Sequence, residues 1–373
     1  WTDRPVQPRR CHAHTVLARR SCRPWIRAAR ALRSPSRRAE RAGRQGTTSS
    51  GAGAKHGPSR RANSARLKLA ETSARLALVK QRPRIVAWGE LLFDVFSDGP
   101  RMGGAAANVA FHARALGARA ILVSRVGRDA LGSRARDELA RHGVDVRFVG
   151  VDDQHPTGTV NVALVDGEPR FTIGAQAAWD RIALDPALES ELDHADAFVF
   201  GTLAQRSLLG SEALLAALGR LPPRCLRVAD LNLRPPHVTE RALGLALDHA
   251  SIVKLNDNEA TRVAAALGTS APRAALFARG VAVVALTHGE AGAELHTRQS
   301  HERHRGYAAL PNGDSVGAGD AFTATLTVEM CRGTPLPKLL ARANRYASFV
   351  ASHRGAMPRP SRELLDELEA VAV

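Results

Sequence analysis

The chain has 373 residues, long enough for one large α/β domain with an appendage or for two ordinary domains. Its net charge of +17 would suggest a polyanionic partner, but residues 1–80 hold 20 Lys and Arg against 3 acids, which leaves 33 of each sign for the remainder. Cys11, Cys22, Cys225 and Cys331 show no C-x-x-C spacing and support neither a zinc site nor a disulfide framework, and no apolar run approaches the about 18 residues of a membrane span.

Residues 1–80 are rich in Arg, Ala, Ser, Gly and Pro, with almost no aliphatic clustering before Leu67. This composition cannot bury enough apolar surface to offset chain entropy, so a basic, disordered extension is expected. The chain opens on Trp1 and its first methionine is Met102, so the plainest reading is that the extension has no functional role and includes translated upstream sequence. A transit-type leader is the second reading, from the Arg- and Ser-rich, acid-poor composition. A nucleic-acid-binding arm ranks last, because aromatics are not interleaved and no recognised module is present.

From Ile85 onward, apolar runs alternate with amphipathic segments. Strands are expected at 85–96, 120–127, 197–201, 227–232, 251–256 and 281–289, most of them near-continuous aliphatic runs of the kind buried on both faces of a parallel sheet. Leu131, Ala135 and Leu139 are spaced for one face of a helix over 131–142, with Gly143 as its stop. A second helix, ANVAFHARAL, ends at Gly117. The alternation predicts an α/β fold with a doubly wound, mainly parallel sheet flanked by helices and with ligands at the carboxyl ends of the strands. Residues 155–175 instead read as two short strands around the turn Asp166-Gly167, and with 94–103 they are expected to make a small β-flap. The domain itself is expected over 81–373.

The segment DSVGAGDAFTATLTVEM, residues 314–330, carries the strongest chemical signal. A Gly-Ala-Gly turn leading into a helix that begins near Ala321 would aim backbone N–H groups and the positive end of the helix dipole into one small volume. Asp320 would stand beside that anion hole as a proton acceptor for an alcohol. Taken alone, the segment could equally be a tight turn whose Asp caps a helix. Upstream, residues 102–132 combine Gly103-Gly104, Asn108 four residues later, a helix, a strand and VGRDALG.

Together the two segments resemble the signature segments of the ribokinase-type, or phosphofructokinase-B, carbohydrate kinases, in the same order and at a similar separation; the likeness runs from about residue 85 to 358. The resemblance implies a ribokinase-like fold, ATP and Mg²⁺ as cofactors, and Asp320 as the catalytic base. It also implies that the N–H groups of Gly317, Ala318, Gly319 and Asp320 stabilise the transferring phosphoryl group. Asp94 would accept hydrogen bonds from sugar hydroxyls, and Gly103, Gly104 and Asn108 would complete the sugar site. Asn256 and Glu259 match the family's N-x-x-E element, in which the acid helps hold Mg²⁺ through water. Thr287, Gly289 and Gly292 match its T-x-G-x-x-G nucleotide loop, and Asn344 is the polar candidate beside the adenine. In parts of the family a monovalent cation such as K⁺ binds near the position of Asp314, and members with a β-flap often pair through it, so a homodimer is implied by analogy.

DLNLRPP at 230–236 and AAWDRI at 177–182 look most like the fructokinase branch, in which Arg234 would face the sugar and the transferring phosphate. Three departures stand out: Ser315 replaces the usual Thr, Ala106 replaces a Pro common in fructokinases, and His288 fills a variable position of the nucleotide loop. The expectation is therefore a cytoplasmic ATP:fructose kinase whose partners are a small sugar and ATP, without membrane or nucleic-acid binding. Kinases for 2-keto-3-deoxygluconate, ribose or a nucleoside, and a catalytically silent regulatory fold, are the alternatives.

Overall fold

A computed structural model describes residues 82–165, 168–311 and 313–371; the basic extension at 1–80 and the turn Asp166-Gly167 lie outside them. The aliphatic runs become strands β1 (Arg84–Trp88), β2 (Leu92–Phe96), β3 (Gly99–Gly103), β4 (Arg119–Gly127), β5 (Val149–Asp152), β6 (Gly158–Val165), β7 (Glu168–Ile173) and β8 (Ala197–Phe200). They continue with β9 (Leu226–Asp230), β10 (Ile252–Asn256), β11 (Val283–Thr287), β12 (Ala293–His296) and β13 (His301–His304). Nine of them form one sheet in the order β13-β12-β11-β10-β9-β8-β1-β4-β5. From β11 to β5 all neighbours are parallel, while β11-β12-β13 run antiparallel at one edge.

Both faces of this sheet are covered, as the uninterrupted aliphatic runs require. Along β1, Ile85 and Ala87 join the core beneath the helices Ala105–Ala115 and Ala318–Cys331. Val86 and Trp88 join the opposite core, with residues of the helices Leu208–Arg220 and Glu240–His249. The period of two along the strand thus feeds two cores in turn.

The single strand expected over 85–96 is two. β1 ends at Trp88 in the main sheet, and β2 starts at Leu92 in a second, four-stranded sheet ordered β3-β2-β6-β7. An unbroken apolar run does not reveal this, because both halves are buried, each against a different sheet. The connecting Glu90 is 4 % exposed and its carboxyl accepts the Ala105 N–H at 3.3 Å. Strands β5, β12 and β13 were not anticipated; β12 and β13 carry His, Glu and Arg in place of an aliphatic signal.

The helix Ala130–Arg141 buries Ala135 and Leu139 and is followed by Gly143 at φ +78, in line with the spacing argument. The helix Ala318–Cys331 runs through the core, with every residue from Ala321 to Met330 buried. Its polar residues remain paired: Thr325 and Thr327 return their hydroxyls to the carbonyls four residues back at 2.9 and 2.7 Å. Near its end, Glu329 receives Arg332 at 2.8 Å, Thr334 at 2.8 Å and Arg342 from the helix Leu336–Ala351. Dehydration opposes the charge on Glu329, but Thr334, Arg342 and Arg332 outweigh it and hold the carboxyl below its usual range.

Removing one member of a buried pair leaves the other desolvated and unpaired. Glu329→Leu is therefore expected to lower the unfolding free energy by about 3–5 kcal/mol in urea titrations; a loss below about 1 kcal/mol would mean that Arg342 finds solvent without it.

Candidate active site

The carboxyl end of β9, the strand β10, Glu90 in the link after β1 and the start of the helix Ala318–Cys331 converge on one place. The helix starts at Ala318, three residues earlier than expected, and this places Asp320 inside its first turn. The cause is Gly317, which caps the helix at φ +79 in the left-handed region. Only glycine fits: a Cβ there would stand 2.7 Å from the backbone of Ala356. Of the four N–H groups expected to form the anion hole, that of Ala318 reaches back to the Ser315 carbonyl at 3.3 Å. Gly319 and Asp320 lie in the first turn, whose N–H groups have no partner within the helix.

Asp320 Oδ2 accepts the side-chain amide of Asn108 at 2.6 Å, across 212 residues of chain. Asn108 comes from the helix Ala105–Ala115, whose entry is fixed by Gly104 at φ +103; a Cβ there would lie 2.5 Å from the Glu90 carbonyl. Asn108 is 4 % exposed, and its Oδ1 has no hydrogen-bond partner. A buried amide oxygen left open in this way is an acceptor in want of a donor.

Beneath Asp320 lies a polar cluster that the sequence reading passed over. Lys254 Nζ sits 3.1 and 3.3 Å from the two carboxylate oxygens of Asp230, and the Thr323 hydroxyl donates to Asp230 Oδ2 at 2.6 Å. Asp230 and Lys254 are both buried. Dehydration pushes the Asp320 carboxyl up to about 7; the negative charges of Asp230 and Glu90 add to this, while the Asn108 hydrogen bond and Lys254 pull it down. Burial likewise raises Glu90. The available signal was an Asp closing the aliphatic run of β9 and a Lys set inside that of β10.

Asp94, on β2, is raised to about 6, first by dehydration and then by Asp314, while Arg234 acts in the opposite sense. Asp94, Arg234 and Asp314 are therefore near neighbours electrically, although Arg234 itself lies exposed in the loop after β9. Gly103 lies against Asp94: a Cβ on it would sit 2.8 Å from Oδ2. Asp314 accepts the N–H groups of Val316 at 3.1 Å and Gly355 at 3.0 Å, which ties the glycine turn to the loop after the helix Leu336–Ala351.

Glu259 occupies the first turn of the helix Asp257–Ala266 and forms a reciprocal cap with Asn256: Glu259 N–H to Asn256 Oδ1 and Asn256 N–H to Glu259 Oε2, both 2.9 Å. Its other oxygen accepts the Leu233 N–H at 2.7 Å. Thr287 ends β11, and Gly289 and Gly292 flank the short turn that follows, with Gly292 packed on the His304 carbonyl. Asn344 is 7 % exposed and donates its amide to the Leu340 carbonyl at 2.8 Å, so that donor is spent within its own helix. Ala106 is buried against Gly89, which makes it a packing position. Glu90, Asp230, Glu259 and Asp320 surround one buried ammonium, and the oxygens of Asp230 and Glu259 are already taken up by Lys254, Thr323 and backbone N–H groups, so a Mg²⁺ beside them would be met through its own water.

Lys254 lowers the Asp320 pKa, so its removal must raise it. In the ¹³C-carboxyl NMR spectrum of the intact chain, Asp320 should titrate near pH 7 and Lys254→Met should move the midpoint upward; no movement, or a downward one, would show that Lys254 does not act on this carboxyl.

Residues 74–362 match the pfkB family carbohydrate kinase profile. The chain is similar to a sugar kinase of Pyrococcus horikoshii, 28 % identical over 306 residues, covering 77 % of this chain and 96 % of that one. It is also similar to a fructokinase of Klebsiella pneumoniae, 30 % identical over 300 residues, covering 74 % and 95 %. Among solved structures, a fructokinase of Xylella fastidiosa with bound ATP superposes with a TM-score of 0.70 at 22 % identity, over 77 % of this chain and 98 % of that one. No helix among the described residues is long and apolar enough to cross a membrane. The parallel sheet with its convergent acids and the match over most of the described chain lead to one conclusion: this protein belongs to the pfkB family of carbohydrate kinases and is an ATP-dependent sugar kinase.

Proposed function

We propose that the protein transfers the γ-phosphoryl group of ATP to a primary hydroxyl of a ketohexose, with fructose as the favoured acceptor and Asp320 as the base. The observation that carries this reading is the Asp320–Asn108 pair at the helix start. It combines a carboxyl that titrates near neutrality, an amide oxygen without a partner, and first-turn N–H groups free to receive an anion. The sugar hydroxyl gives its proton to Asp320 as its oxygen bonds to the γ-phosphorus, the bond from that phosphorus to the β–γ bridging oxygen breaks and ADP leaves, and the Asn108 oxygen accepts from a neighbouring hydroxyl. Charge on the phosphoryl oxygens is met by the helix-start N–H groups and by Arg234. Asp94 orients the sugar from the small sheet by accepting hydrogen bonds from its hydroxyls, with Gly103 and Gly104 leaving room for close approach.

Thr287, Gly289 and Gly292 would border the nucleotide, with Asn344 on its adenine side. When bound, Mg²⁺ neutralises phosphate charge; Glu259 would hold it through water. Three supports favour fructose: the names of relatives near 30 % identity, the run around DLNLRPP, and the absence of a recognised basic cluster for a second phosphate.

The test is ADP release with Mg·ATP and a panel of fructose, ribose, 2-keto-3-deoxygluconate and nucleosides. Fructose should lead, and no turnover with any acceptor would refute the reading. Asp320→Asn should cut turnover by about 10²–10⁴-fold while calorimetric ATP binding is kept; retained turnover would remove Asp320 from the base role. Because the base works ionised, kcat/KM for the sugar should rise with pH and level off above about 7. A flat profile between pH 5 and pH 8 would contradict a base with that pKa.

A further inference from the structure

The edge hairpin β12–β13 carries a cluster that the phosphoryl-transfer chemistry does not use. His296 and His301 are paired directly across the hairpin, with their rings stacked at a centroid distance of 4.2 Å. Glu294 reaches between them: its Oε2 lies 2.8 Å from His296 Nε2 and 3.3 Å from His301 Nε2. One potential ligand atom from each of the three residues falls within 4.8 Å of the others. Donors held at the usual zinc distances of about 2.0–2.2 Å stand roughly 3.4 Å apart around a tetrahedral ion, so the cluster is already near that spacing.

A fourth side chain points to the same ligand. His288, in the turn between β11 and β12, gives its Nδ1 to Asp257 at 2.8 Å. In the neutral ring, with Nδ1–H donating there, Nε2 carries the lone pair. Nε2 is buried without a hydrogen-bond partner and faces Glu294 Oε1 at 3.7 Å. An imidazole held by a carboxylate on one nitrogen and open on the other is the arrangement that metal-ligating histidines adopt.

We propose that Glu294, His296, His301 and His288 form a binding site for a divalent cation of the zinc class. Three imidazoles and one carboxylate suit such an ion, whereas Mg²⁺ prefers oxygen donors and water. Two costs oppose binding. Arg273 lies 2.9 Å from His296 Nδ1 and 3.0 Å from its Nε2, and Arg303 lies 3.7 Å from Glu294 Oε1. Both arginines are exposed and can withdraw into solvent. Stacked rings cannot both aim a lone pair at one ion, so His301 must turn, and its side chain is 53 % exposed. With the ion in place, the β11–β12 turn and the hairpin are cross-linked through one centre.

The test is calorimetry of the full chain, stripped with chelator, against ZnCl₂. Scattered thiols and imidazoles elsewhere in the chain bind zinc weakly without forming a built site, so the readout is a difference between variants. Wild type should bind one more equivalent than Glu294→Gln or His301→Gln, or bind that equivalent at least about tenfold more tightly. Cobalt(II) at this equivalent should show d–d bands without thiolate charge transfer, and MgCl₂ should not displace it. Melting in EDTA checks that each variant is folded. Equal stoichiometry and affinity in wild type and both folded variants, or displacement by Mg²⁺, would overturn the proposal.

Discussion

Asp320 holds its proton to near neutrality because dehydration and the charges of Asp230 and Glu90 oppose its ionisation more strongly than Asn108 and Lys254 favour it. Such a balance needs several acids close together, and the strand register and helix packing hold them there. β9 and β10 are parallel neighbours, paired at Lys254↔Asp230, so the ammonium and carboxylate are adjacent by register rather than by flexible reach. The helix Ala318–Cys331 then brings Thr323 down onto Asp230 and sets Asp320 one turn above it. A buried salt bridge contributes little net stability in general. Here its worth is positional: it fixes a positive charge beneath the Asp320 carboxyl.

The same constraint explains why the core is polar along one helix. Asn108 and His112 lie one turn apart on the helix Ala105–Ala115, and both are spent on the site's frame. Asn108 holds Asp320. His112, fully buried, holds the Ala356 carbonyl with Nε2 at 2.8 Å and faces the Tyr346 hydroxyl with Nδ1 at 3.1 Å. Ala356 is the residue that presses on Gly317. One helix therefore registers both the carboxyl and the glycine turn against each other. Dehydration drives His112 down to about 4, which keeps the imidazole neutral and its two contacts constant across the range in which Asp320 titrates.

Much of this was legible in the residues because glycines and strand runs advertise local backbone needs. Gly317 and Gly104 mark places where the chain takes a positive φ against another backbone segment, and short motifs record such needs within a few positions. The aliphatic runs at 120–127, 197–201 and 252–256 gave the parallel sheet, since burial on both faces leaves an uninterrupted signal. The split of 85–96 between two sheets escaped notice for the same reason: burial against either sheet looks alike in one dimension. The helix start moved from Ala321 to Ala318 because αL geometry at Gly317 lets it cap directly, which a count of glycines does not show.

What was not legible is the company that tunes Asp320. Asp230 and Lys254 are 24 residues apart: Asp230 closes its strand, where a polar residue ordinarily meets solvent, and Lys254 lies in the middle of the next. Their pairing depends on strand order and register, which the single helical crossover from β9 to β10 sets. Glu90 is hidden differently: it sits inside an apolar run, and its inward turn depends on the chain leaving one sheet for another at that residue. Local motifs therefore point to Asp320 and the turn beside it. The field that sets when that group ionises comes from residues brought together by topology, and those carry no short-range pattern to read.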